Sequence, residues 1–306
     1  MKIAIPDLVS NSYFPVIAAT EMGICQDLGL DIELVHIFPV TRCLELLRDG
    51  EIEFVGGTAH ALPQVFPKNV GGKILCALSQ HMYWKLVLRS DLEIDVGNFK
   101  ALKNLRIGAA PIVEQGLRGL LAVAGVDATE NNIVIEPVPG AMGPGISFGV
   151  AAADALEKGF LDGFWANAMG SECAVRRGVG KIFVDIRRGD APRESRGFTF
   201  PALMTSDAVI REHPAAAKMM IQSIVSAQAA LKGEAALAEQ AASRLFPSYE
   251  TSLITDVIKP DLVYFNPAVA EKSIESMLKF DASLGIDTTG ISYTDVVATE
   301  FSHFWV

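Results

Sequence analysis

The chain has 306 residues, a formal net charge of −10, 50% hydrophobic residues and 20% charged residues. A chain of this length and composition buries a sizeable core without needing disulfides or metal ions, and its length suggests two domains. The acidic balance argues against nucleic acid or an anionic membrane surface as the main partner.

The first third of the chain alternates the patterns of strands and helices. Apolar stretches bounded by turn residues predict strands at 2–6, 31–37, 53–55, 73–78 and 85–88. Helical spacing of apolar residues predicts helices at 14–28 and 41–48. Gly29 and Gly50 follow these two helices, and glycine is the residue that most often closes a helix.

The middle of the chain repeats this order. Strands are predicted at 105–109, 132–136 and 161–165, and helices at 114–124 and 148–158. Two short segments recur: LGLD at 28–31 returns as AGVD at 124–127, and DGEIE at 49–53 returns as KGFLD at 158–162. The repeat predicts two similar α/β lobes, each with a parallel sheet covered by helices on both faces.

The last third of the chain is predicted to be helical. Helices are expected at 214–232, 234–245, 249–258, 268–284 and 293–304, and we expect them to pack around one lobe. Lobe one is therefore predicted to comprise residues 1–88 and 206–306, with residues 91–203 inserted as lobe two.

The start of the chain bears on where the protein works. Met1 and Lys2 lead directly into an apolar strand pattern, without the long apolar region of a secretory signal. No stretch is long and apolar enough to span a bilayer. The sequence therefore predicts a cytoplasmic protein, or a periplasmic one from which a signal was removed.

The four cysteines match no zinc-binding spacing and no C-x-x-C pattern. They are Cys25, Cys43, Cys76 and Cys173. Each stands among apolar neighbours, so we expect small buried side chains, with no metal site and no cofactor.

Five segments spread along most of the chain carry a resemblance to a known family. They are 22–34 (MGICQDLGLDIEL), 47–57 (LRDGEIEFVGG), 99–108 (FKALKNLRIG), 156–165 (LEKGFLDGFW) and 200–214 (FPALMTSDAVIREHP). In this order they resemble the type II periplasmic solute-binding proteins of ABC importers, in the nitrate/sulfonate/taurine group. The resemblance implies two α/β lobes joined by two crossover strands, a ligand trapped in the cleft between them, and hinge closure. It also implies a small-molecule ligand and an ABC permease as partner, and we expect a monomer that binds no nucleic acid.

The candidate ligand-binding residues follow predicted strand ends, where open parallel sheets hold ligands beside helix N-termini. In lobe one they are Asn11, Ser12, Tyr13, Thr41, Arg42, Thr58, His60, Gln80 and His81; in lobe two they are Pro111, Gln115, Gly140, Trp165 and Asn167.

Several of these candidates have an alternative structural role. The polar residues at 10–13 suit a helix N-cap as well as a ligand, and Trp165 suits a buried core as well as a cleft wall. His60 and His81 lack a carboxylate or thiol at metal-binding spacing, so hydrogen-bonded histidines are favoured over a metal site. The loop 140–145 (GAMGPG) contains neither the G-K-[ST] nor the G-x-G-x-x-G motif of phosphate-binding loops. Two roles remain open for it: backbone contact with a ligand, or a tight turn.

Two functions from different classes remain open. The first is a binding protein for a small, partly apolar or aromatic acid, with Arg42 as the cation. The second is a cytoplasmic enzyme on the same fold, such as a lyase of menaquinone biosynthesis, a sulfinate desulfinase or a pyrimidine-precursor synthase. If the gene begins at Met1, the missing signal favours the enzyme. The first loop, VSNSY at 9–13, lacks the desulfinase cysteine, and the synthase's cysteine-rich motif is absent. The arginine-rich segment 187–196 mixes both signs of charge and is predicted to be a solvated loop.

Overall fold

A computed structural model describes residues 1–138, 140–141, 143 and 146–306. The chain divides into two compact units. Unit 1 comprises Met1–His81 and Thr199–Val306, and unit 2 comprises Met82–Phe198. The strand at Lys85–Arg89, expected in lobe one, belongs to the sheet of unit 2, and the strand at Pro201–Ser206, which straddles the expected end of lobe two, belongs to unit 1.

Unit 1 is built on a five-stranded sheet of order β2-β1-β3-β10-β4. Its strands are β1 (Lys2–Ile5), β2 (Glu33–His36), β3 (Phe54–Thr58), β4 (Gly72–Ala77) and β10 (Pro201–Ser206). The first part of the unit contributes helices α1 (Phe14–Glu21), α2 (Ile24–Asp27), α3 (Val40–Arg48) and α4 (Leu62–Val65). The C-terminal part adds α8 (Asp207–Glu212), α9 (Pro214–Gly233), α10 (Leu237–Ala242), α11 (Ser248–Ile258), α12 (Glu271–Ser283) and α13 (Tyr293–Val296).

Unit 2 carries a second five-stranded sheet, of order β7-β6-β8-β5-β9. Its strands are β5 (Lys85–Arg89), β6 (Leu105–Ala109), β7 (Ile133–Glu136), β8 (Gly163–Ala166) and β9 (Gly180–Asp185), and its helices are α5 (Val113–Val123), α6 (Phe148–Glu157) and α7 (Ala168–Arg176).

The two sheets have the same topology, as the sequence repeat predicted. In each sheet three strands pair in parallel, and the fourth position is held by a strand antiparallel to both neighbours: β10 in unit 1 and β5 in unit 2. The prediction of purely parallel sheets was therefore wrong. Strand β9 and helix α7 were not among the predicted elements.

Two glycines explain how helices approach the sheet of unit 1 so closely. A Cβ at Gly56 would lie 3.0 Å from side-chain atoms of Ile5 and Val16, and one at Gly57 would lie 2.8 Å from Val40. The paired glycines in β3 thus leave room for α1 and α3 against the strand. The predicted helix 14–28 is divided into α1 and α2 at Gly23, which has a φ of +78°.

Within the described part of the chain, no helix combines the length and apolarity needed to cross a bilayer.

Helix α12 buries one carboxyl group in the interior of unit 1. Asp281 is fully buried on the same face as Ile274, Met277 and Leu278. Neither carboxyl oxygen has a hydrogen-bond partner among the described residues. Because burial disfavours the charged form, the pKa of Asp281 is raised to about 8. The folded protein therefore holds this side chain protonated near neutral pH.

Replacing Asp281 should change how stability depends on pH. The unfolded chain releases this proton at about pH 4, whereas the folded chain holds it up to about pH 8. The free energy of unfolding of the wild type should therefore fall by up to about 1.4 kcal/mol per pH unit between these values. Asp281→Asn removes the titrating group, so its free energy of unfolding should not show this decrease. In denaturant titrations, the difference in the free energy of unfolding between the variant and the wild type should therefore shift in favour of the variant as the pH rises.

The control for this experiment is Glu275→Gln, an exposed carboxyl on the same helix, which should follow the wild type. If the free energy of unfolding changed with pH in the same way in Asp281→Asn and in the wild type, the prediction would be contradicted. The Asp281 carboxyl would then be solvated or paired.

Candidate functional site

The sheet of unit 1 brings four strand ends to one edge. Strands β1, β2 and β3 run parallel, and β10 is antiparallel to both β3 and β4. Strand β4 therefore runs in the same direction as the first three. The loops after β1, β2, β3 and β4 all leave from this edge, which holds every candidate residue of lobe one.

The loop after β1 is fixed by contacts with a distant part of the chain. The Asn11 side chain donates a hydrogen bond of 2.6 Å to the carboxylate of Asp261, and both residues are buried. Asp261 belongs to the 3-10 turn Lys259–Tyr264, which follows α11. The pair holds the first loop against the C-terminal helices, a contact that spans 250 residues of sequence.

Ser12 has a buried hydroxyl group at this loop. Its side chain is 2% exposed, its backbone N–H donates to Ser10 Oγ at 3.1 Å, and its own Oγ has no hydrogen-bond partner in the described part of the chain. The N-cap of α1 is Tyr13, and no side-chain capping bond is formed there. The N-capping role considered for these polar residues is therefore wrong, and the Ser12 hydroxyl is left with an unfilled hydrogen-bonding capacity.

The loop after β3 forms a buried hydrogen-bonded chain. Thr58 Oγ1 lies 3.0 Å from His60 Nδ1 and 2.8 Å from Thr199 Oγ1, and the His60 backbone N–H donates to Thr199 Oγ1 at 3.3 Å. The His60 ring also packs against the ring of Phe280, with 5.6 Å between centroids. His60 is thus a hydrogen-bonded interior histidine, which joins the end of β3 to the segment that leads into β10.

The loop after β4 reaches the same 3-10 turn as the first loop. The Gln80 backbone donates to Tyr264 O at 2.9 Å, and its side chain donates to Asn266 O and Ala268 O at 2.7 and 2.8 Å. The His81 ring lies 6.0 Å from the ring of Tyr264. The structure therefore brings the predicted residues of the first and fourth loops together on one turn that the sequence analysis did not select.

Arg42 is not part of this cluster. It lies in the first turn of α3, where Arg42 Nη1 pairs with Glu45 Oε2 at 3.1 Å, with 49% and 40% of the two side chains exposed. An exposed pair of this kind contributes little stability and is screened by salt. In this structure the Arg42 side chain is occupied by a surface partner one helical turn away, and its role as the cation of the site stays a prediction. Thr41, beside it, is half-buried.

The sheet of unit 2 has an equivalent edge. Because β5 is antiparallel to β8 and to β9, strands β6, β7, β8 and β9 all end there. Pro111 and Gln115, near the start of α5, are half-buried, and Gly140 is exposed with a φ of +76°. Met142, Pro144 and Gly145 of the predicted glycine-rich loop lie outside the described residues.

Two residues near the end of β8 have structural roles. Trp165 is fully buried, its Nε1 donates to Val113 O at 3.1 Å, and its ring lies 6.0 Å from that of Trp84. Its indole N–H is satisfied inside unit 2, which favours the core role for Trp165, and the cleft wall stays a prediction. Asn167 caps α7 by accepting a hydrogen bond of 3.2 Å from the Gly170 N–H.

The sequence analysis missed a buried cation at this edge. Arg187, two residues after β9, is 5% exposed, and its guanidinium carbon lies 5.8 Å from the centre of the Tyr83 ring. The prediction of a solvated loop was wrong at this position. Since β9 was not predicted, the rule that candidate residues follow strand ends was never applied there.

The cysteines are poor nucleophiles in this fold. All four are buried, and burial raises the pKa of the Cys25 thiol and, to about 12, that of Cys43. The thiolate is the reactive form, so raising the pKa makes the Cys25 and Cys43 thiols poor nucleophiles near neutral pH. Among the described residues, no three His, Cys, Asp or Glu side chains are grouped to hold a metal ion.

The reassignment of Trp165 gives a direct test. Trp165→Ala should lower the free energy of unfolding of the ligand-free protein by about 3–5 kcal/mol, because it empties a large part of the core. Trp165→Phe, which keeps most of the volume, should cost less. A ligand-free Trp165→Ala protein that melts like the wild type would return this residue to the binding site.

No protein-family model matches the sequence, and no curated protein is significantly similar to it. Solved structures are similar in fold. One is the ligand-binding component of an ABC-type import system from Staphylococcus aureus with zinc bound. It is 12% identical to this chain with a TM-score of 0.73, and the alignment covers 100% of this chain and 98% of that protein. The alkanesulfonate-binding protein from Xanthomonas axonopodis bound to MOPS is 13% identical with a TM-score of 0.70, covering 98% and 96%. A desulfurization enzyme in complex with biphenyl-2-sulfinic acid is 15% identical with a TM-score of 0.65, covering 99% and 97%.

At these identities the likeness concerns the fold. The chain has the fold of these solved proteins, with two α/β units as the five sequence segments predicted.

Proposed function

We propose that this protein captures a small organic acid and delivers it to an ABC permease. The observation that carries the proposal is the edge of the unit 1 sheet, where the first loop is held rigid by Asn11 and Asp261 while the buried Ser12 hydroxyl keeps a free hydrogen-bonding capacity. Fixed polar groups at the carboxyl ends of strands are typical of ligand sites in open sheets.

Two of the structural neighbours support this function. They are by name a component of an ABC-type import system and a binding protein for alkanesulfonates, and the second shows that a small anionic solute suits the fold. The third neighbour, a desulfurization enzyme, supports the enzyme alternative. A protein with this role works outside the cytoplasmic membrane, where it meets its permease, and needs no cofactor.

The enzyme hypothesis is less well supported by the first loop. A serine acts as a nucleophile when a neighbouring base accepts its proton. Ser12 Oγ has no partner within hydrogen-bond distance among the described residues, and the cysteine thiols are buried. The edge can therefore bind and orient a ligand, while Ser12 Oγ has no base within hydrogen-bond distance among the described residues.

Binding without turnover is the first expected outcome. Isothermal titration with benzoate, benzenesulfonate and butanesulfonate should give saturable heat for at least one of these acids, which should be recovered unchanged after incubation. Heat that continues after saturation, together with a new product, would show an enzyme. The absence of binding by all three acids would contradict the proposed ligand class.

Ser12→Ala should separate binding from stability. The variant removes a buried hydroxyl that has no partner, so the ligand-free protein should be as stable as the wild type or slightly more stable. If the hydroxyl bonds the ligand, affinity for the acid that binds should fall roughly 3- to 10-fold.

The matched control is Ser223→Ala. That buried hydroxyl already donates to Met219 O at 2.9 Å within α9, so its removal should leave affinity unchanged and should not raise stability. An unchanged affinity in Ser12→Ala would remove this serine from the site.

A further inference from the structure

Unit 1 has a cavity at the end of its sheet that lies away from the candidate site. The volume of the cavity is about 350 Å³, near the lower end of the range of small-molecule pockets, which is roughly 300–1,000 Å³. Its lining residues come from three segments, 47–50, 65–71 and 206–211. The last two segments meet where β4 begins and β10 ends. This is the edge of the sheet opposite to the one that holds the candidate residues.

Apolar side chains form one part of the cavity wall. Leu47 and Val65 are buried, and Phe66 packs so closely under the turn before β4 that a Cβ on Gly72 would lie 2.8 Å from its ring. Val70, which also lines the cavity, is 76% exposed. Together these side chains form a concave apolar surface, and covering such a surface with a hydrocarbon chain lowers the free energy.

The backbone around the cavity is held in place by hydrogen bonds. The Asp207 N–H donates to Gly71 O at 2.9 Å, which joins the start of α8 to the turn before β4. The Ser206 hydroxyl accepts a hydrogen bond of 3.3 Å from the Val209 N–H and so caps α8. The wall is therefore formed before a ligand arrives, and binding needs little ordering of the chain.

Two arginines from distant parts of the sequence line this one cavity. Arg48 Nε pairs with Asp49 Oδ1 at 3.0 Å, and Arg211 Nη2 pairs with Glu212 Oε1 at 2.7 Å. The two arginine side chains are 48% and 68% exposed, and exposed pairs of this kind contribute little stability. A guanidinium has five N–H donors, so each arginine can keep its present partner and still donate to an anion in the cavity.

The charges that line the cavity favour an anionic ligand. Among its lining residues Asp207 is the single carboxylate, against the two guanidinium groups of Arg48 and Arg211. The lining side chains therefore carry a net charge of about +1, in a chain whose net charge is −10. Opposite charge across a contact selects the partner, so this cavity suits one negative charge better than a positive one.

We propose that this cavity binds a small aliphatic acid, such as a medium-chain carboxylate. Arg48 and Arg211 contact the carboxylate, and Leu47, Val65 and Val70 cover the hydrocarbon chain. The inference is independent of the proposed function, because the two sites lie at opposite edges of the sheet. Benzenesulfonate has no chain to lie along this wall, so a concentration that saturates the strand-end edge should leave the cavity segments unchanged.

Hydrogen–deuterium exchange tests the proposal, because it locates binding as well as detecting it. Octanoate should slow exchange at 47–50, 65–71 and 206–211, and the concentration that gives half of the effect reports affinity for this cavity alone. That concentration should be roughly 10- to 100-fold lower for octanoate than for butanoate, because four further CH₂ groups leave water. It should also be lower for octanoate than for octanol, and highest for octylamine.

Three variants separate charge from packing. Arg48→Gln and Arg211→Gln should each raise the half-effect concentration of octanoate roughly 3- to 10-fold and leave that of octanol nearly unchanged. Val70→Asp should raise it by about tenfold or more, because a carboxylate would replace part of the apolar wall. The matched control is Arg193→Gln, an exposed arginine of unit 2, which should behave like the wild type.

The wild type alone can refute the assignment. If octanoate does not slow exchange at these three segments, the cavity is not its site, and if octanoate and octanol act at equal concentrations, the arginines do not recognise the anion. An equal loss of affinity in Arg193→Gln would also contradict the proposal, since it would show a general effect of net charge. None of these results bears on binding at the strand-end edge, so the proposed function fails or stands separately.

Discussion

One antiparallel strand in each sheet places the end of a fourth strand beside the ends of three parallel strands. Strand β10 in unit 1 and strand β5 in unit 2 run antiparallel to both of their neighbours. The other four strands of each sheet can therefore point the same way, and their carboxyl ends meet at one edge. Gln80 therefore follows β4 at the edge where the loops after β1, β2 and β3 leave the sheet, and Arg187 follows β9 at the equivalent edge of unit 2.

The two edges differ in chemistry although their topology is the same. At the edge of unit 1 the described groups are hydroxyls, amides, imidazoles and the carboxylate of Asp261, most of them buried and tied to the 3-10 turn Lys259–Tyr264 or to Thr199. At the edge of unit 2 a buried guanidinium stands beside two aromatic rings. Asn11 and Gln80 at the first edge and the Arg187 backbone at the second are fixed by hydrogen bonds within their own unit. Rigid groups lose little conformational entropy on binding, which favours affinity.

The sequence predicted most of the strands and the edge at which residues should gather, because apolar runs and glycine stops are local signals. It did not predict β9, whose flanking charged residues resemble a surface loop, and Arg187 was missed with it. Asp261 was also missed, because its contact with Asn11 joins segments 250 residues apart and no local pattern records such a contact. Arg42 was selected for its charge and position, but a local partner, Glu45, takes its side chain to the surface.

The central claim is that ligand contacts form at the strand-end edges of this protein. Hydrogen–deuterium exchange with and without a saturating organic acid, such as benzenesulfonate, tests it directly. The account predicts slower exchange at residues 10–14 in unit 1 and at residues 186–188 in unit 2, with no change at the exposed turns 49–51 and 129–130. Protection confined to those turns, or spread evenly over both units, would contradict it.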